Sequence, residues 1–216
     1  MYLVVAATEM EMAPLRCRLI EELPVEFLVT GVGPVETALR LTRHLEVASS
    51  AVSGVILFGV AGAYPGSGRT LLDICLATRE VFGDLGVWLE TGVTALSGEA
   101  ATPVEFDLDG ELRARAAEIL AAGGIPCHGG PFVTVCGVSG TARRGEQLYR
   151  AHNALCENME GGAVARVCLE YQVPCLELRC VSNLVEDRDP GRWRLVDACR
   201  LAAEATAKVL AGLTGD

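Results

Sequence analysis

Glu11 stands three residues after Thr8, just beyond the apolar run YLVVAA at residues 2–7. Two readings fit that spacing. In a capping box, Thr8 and Glu11 each satisfy the other's backbone N–H at a helix start. Alternatively Glu11, with Glu9 nearby, is a catalytic carboxylate set at the end of a first strand. Spacing alone favours the cap. A second acid, Glu160, lies in NMEGGA at 158–163, where an apolar helical pattern begins. The helix dipole accounts for an acid there. It does not account for Gly161 and Gly162, since each glycine costs a helix about 1 kcal/mol relative to Ala. Adjacent glycines imply that something packs close to this backbone. A carboxylate held at that point would accept two hydrogen bonds from a vicinal diol, the pattern that ribose presents.

Ser182 and Asn183 close another apolar run, VPCLELRCVS at 173–182. An Asn amide there offers a donor and an acceptor in fixed geometry. It is also a common turn former at strand ends. Glu177 and Arg179 alternate on one face of the same run and read as a partly buried ion pair. The segment GVAG at 59–62 ends a further run in small residues. It is either a backbone cradle for a ligand, at Ala61 and Gly62, or a plain turn. No GK[ST] follows, so it is not a P-loop, and its glycine spacing does not match a dinucleotide fingerprint. His44, His128 and His152 stand far apart, without metal-ligand spacing.

The elements that must position these residues alternate along the chain. Residues 2–7, 25–32, 54–61, 71–82, 131–138 and 173–182 read as strands, and GVILFGVA (54–61) is expected to end in a loop carrying Gly62, Gly66 and Gly68. Helices are expected from Thr8, over 35–48 with Pro34 at the entry, over 110–122, in the second half of 139–150, over 160–171 and over 194–212. Residues 83–108 show little periodicity. They read as a long irregular connection, serving as a lid or contact segment around Trp88 or as a surface loop with that Trp buried. The alternation predicts an α/β protein, a three-layer α/β/α sandwich with a central mixed, mostly parallel sheet. Residues 1–216 read as a single domain. In such sheets the site lies at the carboxyl edge of the strands.

Composition narrows the function. Half of the 216 residues are hydrophobic and only 5% aromatic, as expected when both faces of a sheet are covered. The formal charge of −10 repels phosphate backbones and anionic lipid, which argues against nucleic-acid and membrane partners. The start MYLVVAATEMEM lacks the basic residues of a signal peptide, so a cytoplasmic location is expected. Nine cysteines in mostly apolar contexts, without a CxxC pair, read as small buried hydrophobes in a reducing compartment.

ATEME (7–11), GVAGA (59–63), NMEGGAVA (158–165) and the strand-end SN (182–183) together resemble the purine nucleoside phosphorylase/nucleosidase superfamily. The correspondence runs over nearly the whole chain. The resemblance implies roles. Glu11 matches the carboxylate that activates water. Met159 and Glu160 match the pair at the ribose, with Glu160 on its hydroxyls. Asn183 matches the position facing purine N7 and the 6-substituent, where adenine-releasing members carry Asp. An amide cannot protonate N7, but it can donate to a 6-oxo group, which favours hypoxanthine or guanine. The aromatic that stacks on the base in related nucleosidases is not evident in its region, which reads Gly137-Val138-Ser139. Val138 and the Ser139 backbone are expected to make that contact.

The segment SNLVEDRDPGRW (182–193) is most similar to a hypoxanthine-releasing hydrolase of menaquinone biosynthesis. Three alternatives stay open. A phosphorylase would need cations around phosphate, for which Arg69, Arg143 and Arg144 are candidates; one of these would otherwise pair with a substrate carboxylate. A methylthioadenosine/S-adenosylhomocysteine-type nucleosidase would release adenine. A non-catalytic nucleoside-binding module would share the fold. The resemblance implies a small-molecule purine nucleoside as partner, no metal or organic cofactor, and a homo-oligomer, either a dimer or a dimer of dimers.

Overall fold

The computed structural model describes residues 1–19, 23–48 and 51–215. In chain order the elements are β1 (Tyr2–Ala6), α1 (Glu9–Arg16), β2 (Val25–Val29), α2 (Pro34–Ala48), β3 (Gly54–Ala63), β4 (Ile74–Phe82), β5 (Val87–Leu89) and β6 (Gly92–Thr94). There follow β7 (Glu105–Asp107), α3 (Gly110–Ala122), β8 (Cys127–Thr134), α4 (Ala142–His152), β9 (Cys156–Asn158), α5 (Gly161–Tyr171), β10 (Cys175–Leu184) and α6 (Leu195–Thr214).

β1 lies between β2 and β3, parallel to both. β3 continues the sheet to β10 in parallel, and its last two residues also pair antiparallel with β9. β9 and β8 run parallel, as do β8 and β4, and β4 returns antiparallel to β10. The sheet is therefore mixed and mostly parallel, and half of it closes on itself through β3, β10, β4, β8 and β9. α1, α3 and α6 cover one face and bury Val4, Ile56, Phe58, Met12 and Leu112. α2 and α5 cover the other, over Leu3, Val5, Val55, Leu57, Leu41 and Val164. Alternate residues of β1 and β3 thus point into two different cores, which is why their sequences read as unbroken apolar runs.

The structure corrects several expectations. β3 runs two residues past Ala61, so Gly62 belongs to the strand and not to the following loop. β8 begins and ends four residues earlier than expected. After Thr134 the chain leaves the ladder, and the N–H groups of Cys136 and Gly137 donate to the Asp84 carboxylate instead. Residues 83–108 contain the β5–β6 hairpin and the edge strand β7. Trp88 is 45% exposed rather than buried, with the Arg144 guanidinium 5.1 Å from its ring. The three-residue β9 was not foreseen, because CEN has neither length nor apolar alternation. Six of the nine free cysteines are buried, whereas Cys136, expected in an apolar setting, is exposed. No helix among the described residues is long and apolar enough to cross a membrane.

Candidate active site

The carboxyl ends of β1, β3 and β10 meet at one edge, where parallel strands leave a crevice. A cavity of about 420 Å³ opens there. It is lined by all eight residues singled out in the sequence: Glu11 and Asn183, Ala61 and Gly62, Val138 and Ser139, and Met159 and Glu160.

Glu11 resolves its two readings by satisfying both. It is the third residue of α1, and the capping box with Thr8 is complete. Its Oε2 accepts from the Thr8 N–H at 3.0 Å and the Thr8 hydroxyl at 2.8 Å. Its Oε1 turns into the cavity and accepts from the Val60 N–H of β3 at 3.1 Å. The cap fixes the carboxylate, and the first turn of the helix carries it to the strand edge. Gly59 permits this approach, since a Cβ there would collide with the Glu11 carboxylate and the Arg179 guanidinium. Burial raises Glu11 above the ordinary carboxylate range; Arg179, the Thr8 hydroxyl and the Val60 N–H oppose that rise, and Glu160 adds to it.

Glu160 does not cap α5, as the dipole account would have it. The Asn158 side chain does, its Oδ1 accepting from the N–H of Glu160 at 2.8 Å and of Gly161 at 2.7 Å. The Glu160 carboxylate points away, accepting from the Gly33 N–H at 3.0 Å and from Arg179 at 3.3 Å. The adjacent glycines are explained by their neighbours. Gly161 lies against the Glu80 and Glu177 carboxylates, and Gly162 lies against Phe82 and Thr134.

Arg179 ties these groups together. The side chain is 1% exposed. It donates to Glu177 at 2.8 Å, and to Glu160, Asn158 Oδ1 and the Val60 carbonyl at 3.3 Å each. Burial opposes its charge, but the Glu177, Glu160 and Glu11 carboxylates outweigh that and hold the guanidinium protonated. The Glu177–Arg179 ion pair was legible in the sequence. Its full burial and its reach to Glu160 were not, because the partners lie 19 residues apart on different elements.

Asn183 sits at a register shift of β10, opposite Gly62. Gly62 lines the cavity. What approaches Gly62 is the Asn183 amide itself, which a Cβ there would crowd. Asn183 Oδ1 accepts from Ser182 Oγ at 2.8 Å, and Nδ2 donates to the Leu184 carbonyl at 3.2 Å. One amide hydrogen is left for a ligand. Ser139 lines the cavity, but its backbone N–H is already committed to Glu157 at 2.7 Å, so it is not a free donor to a base. Glu157 also accepts from the Ser139 hydroxyl and from Tyr64.

Sequence reasoning missed Glu157, Asn158, Arg188 and Trp193 as cavity residues. Trp193 follows β10 and supplies the aromatic surface absent from the 137–139 region, and the Arg188 guanidinium lies 4.5 Å from its ring. The three arginines proposed for an anion are placed elsewhere. Arg69 faces Asp73, Arg143 donates to the Glu90 carbonyl and Arg144 pairs with Asp84; none lines the cavity. The 83–108 segment contributes no cavity residue either. Among the described residues no group of acids, cysteines and histidines is arranged to hold a metal.

A mixed α/β sheet with carboxylates and an amide gathered at its strand ends is the frame of a nucleoside-processing class, and the comparisons agree. The phosphorylase superfamily model matches residues 13–214. Futalosine hydrolase of Thermus thermophilus is 36% identical over 195 residues, 86% of this chain and 80% of that protein. Futalosine hydrolase of Streptomyces coelicolor is 32% identical over 85% of this chain and 77% of that protein. The fold is that of 5′-methylthioadenosine/S-adenosylhomocysteine nucleosidase of Helicobacter pylori solved with butyl-thio-DADMe-Immucillin-A, with a TM-score of 0.83 at 20% identity over 96% of each chain. The chain belongs to the phosphorylase superfamily and, within it, to the futalosine hydrolase family.

Proposed function

We propose that this protein hydrolyses the N-glycosidic bond of futalosine, releasing hypoxanthine and the dehypoxanthinylated sugar product for menaquinone biosynthesis. The observation that carries the reading is the placement of Glu11, Glu160 and the Asn183 amide around one cavity, where Arg179 is held by four protein acceptors. Loss of the base creates an oxocarbenium-like sugar. Glu11 holds a water through its remaining lone pairs and takes its proton as the water attacks the anomeric carbon. Glu160 binds the ribose hydroxyls beside Met159 and lends negative charge to the cationic sugar. The free Asn183 hydrogen donates to the 6-oxo group or N7 of the departing purine. An adenine amino group would present a donor to that donor, a mismatch worth about 1–3 kcal/mol.

Phosphorolysis is disfavoured by the same geometry. Arg179 is engaged by four protein acceptors, two of them carboxylates, and the acidic cavity floor would repel phosphate. The chain is proposed to work as one domain in the cytoplasm, without a cofactor, as a dimer or dimer of dimers. Val32, at the cavity rim, and Val35 and Leu39 on α2 are all more than half exposed and give a second copy an apolar surface. Light scattering at micromolar concentration checks the oligomer. The function is tested by chromatography of the bases released from futalosine, inosine, adenosine and methylthioadenosine, each with and without phosphate. Hypoxanthine from futalosine without phosphate is expected. A strict phosphate requirement, or adenine as the favoured product, overturns the reading.

A further inference from the structure

Beneath the cavity floor lies an acid that the chemistry above does not use. Glu80, on β4, is fully buried. Its Oε2 accepts from the Thr134 hydroxyl at 2.8 Å, and its Oε1 accepts from Asn158 Nδ2 at 2.5 Å. Against it lies Glu177, whose Oε1 pairs with Arg179 and whose buried Oε2 has no N–H or O–H partner. Three buried carboxylates, Glu11, Glu160 and Glu177, thus share one guanidinium, and a fourth, Glu80, lies against Glu177. An unpaired buried carboxylate costs several kcal/mol, so the cluster cannot carry four negative charges. One group is placed to relieve this. A hydrogen on Glu80 Oε1 would point at the orphaned Glu177 Oε2 and leave the Thr134 bond intact.

We propose that Glu80 is a positioning residue that keeps a proton throughout the working pH range and donates it to Glu177, so that Arg179 and Asn158 hold Glu160 in the ribose-binding geometry. The inference rests on the proposed nucleoside hydrolysis only for its activity readout. The chain of contacts is short. Glu80 fixes Glu177 and the Asn158 amide; Glu177 orients the guanidinium; Arg179 and Asn158 in turn fix the Glu160 carboxylate and the start of α5. The groups facing Glu80 are Glu177 on β10, Cys156 and Asn158 on β9, Thr134 on β8 and, further off, Tyr64. None of these is cationic, and the Arg179 guanidinium that pairs with Glu177 is shared with Glu160 and Glu11. Burial and the Glu177 carboxylate raise Glu80 well above the ordinary carboxylate range, which agrees with this geometry.

The test compares wild type with Glu80→Gln and Glu80→Leu. Infrared difference spectra of wild type against Glu80→Gln should show the carbonyl stretch of a protonated carboxylic acid in wild type alone, at every pH where the enzyme works. Gln still offers an N–H to Glu177 but meets the Asn158 amide with a second donor. It should therefore lose only about threefold to tenfold in kcat/KM, with both limbs of the pH profile unmoved. Leu removes every bond, and a folded Glu80→Leu protein should lose about 100-fold or more in kcat/KM, mostly through weakened ribose binding. If Leu fails to fold, the infrared band and the Gln pH profile decide alone. Absence of the band in wild type, or a pH limb that vanishes in Glu80→Gln, overturns the proposal. If wild type releases no base from any nucleoside, the functional reading fails, while the infrared result still judges the proton.

Discussion

The floor and the mouth of the cavity are built in opposite ways. The floor consists of Glu11, Asn158, Glu160 and Arg179, all at most 5% exposed and each holding two or more hydrogen bonds. The mouth consists of Val138, Met10, Val32, Arg188 and Trp193, where Val138 is 44% and Met10 56% exposed and the contacts are mainly apolar or cation–π. The floor hangs on strand ends and helix starts that are packed into the two cores. The mouth hangs on connections. The contrast suits a division of labour under the proposed function: sugar chemistry on the densely bonded floor and selection among substrates at the more exposed mouth, with Asn183 on the border between them.

This division can be broken or sharpened by substitution. The largest effect is expected at the floor's hub. Arg179→Met leaves Glu160 and Glu177 buried without a cation and should cost about 3–5 kcal/mol of stability, seen by urea denaturation. Next comes Glu160→Gln, which keeps the shape but weakens the charged hydrogen bonds to ribose. A loss in kcat/KM worth about 1.5–3 kcal/mol is expected against an inosine-type substrate, with stability little changed. Gly161→Ala forces a methyl group between the Glu80 and Glu177 carboxylates and should destabilise the fold by about 1–3 kcal/mol, measurable as a lower thermal midpoint. Asn183→Asp should move preference from 6-oxo towards 6-amino purines by about 1–3 kcal/mol, read as a ratio of kcat/KM values. At the mouth, Trp193→Ala should raise KM by about fivefold while leaving kcat near wild type. An equal fall in kcat would mean that the mouth takes part in the chemistry and that the two regions are not separate.

The pH dependence follows from Glu11. Burial raises it, so it becomes an ionised base only above the ordinary carboxylate range. Activity should therefore fall on the acid side at a higher pH than for a free carboxylate. Stability runs the other way. The native state keeps the Glu11 proton to higher pH than the unfolded chain does, so the contribution from that protonation is present below the unfolded value and is lost as pH rises through the raised one. Denaturation curves across the mildly acidic range check the sign.

The floor was only half legible in the sequence. Glu11 was found through its spacing from Thr8, and Glu160 through glycines that a helix does not want, because both signals are local. β1, β3 and β10 were legible as apolar runs, and their parallel pairing in the structure is what makes the chosen residues converge. Arg179 was seen as the partner of Glu177 two residues away, but its bonds to Glu160 and Val60 are tertiary and leave no periodic trace. β9 was hidden for a related reason, since three residues held by β3 and β8 need no strand pattern of their own. At the mouth, Trp193 lies in a loop without periodicity, so nothing local linked it to the cavity.

The central claim is that Glu11 delivers water to the sugar. Its most direct test measures hypoxanthine release from futalosine by wild type and Glu11→Gln, with calorimetric binding of a non-hydrolysable nucleoside analogue to both proteins. Binding within about threefold of wild type is expected, with turnover reduced by about 10²–10⁴-fold, the range typical of a lost general base. A Glu11→Gln protein that still turns over within about tenfold of wild type would contradict it, and Glu11 would then be a helix cap and nothing more.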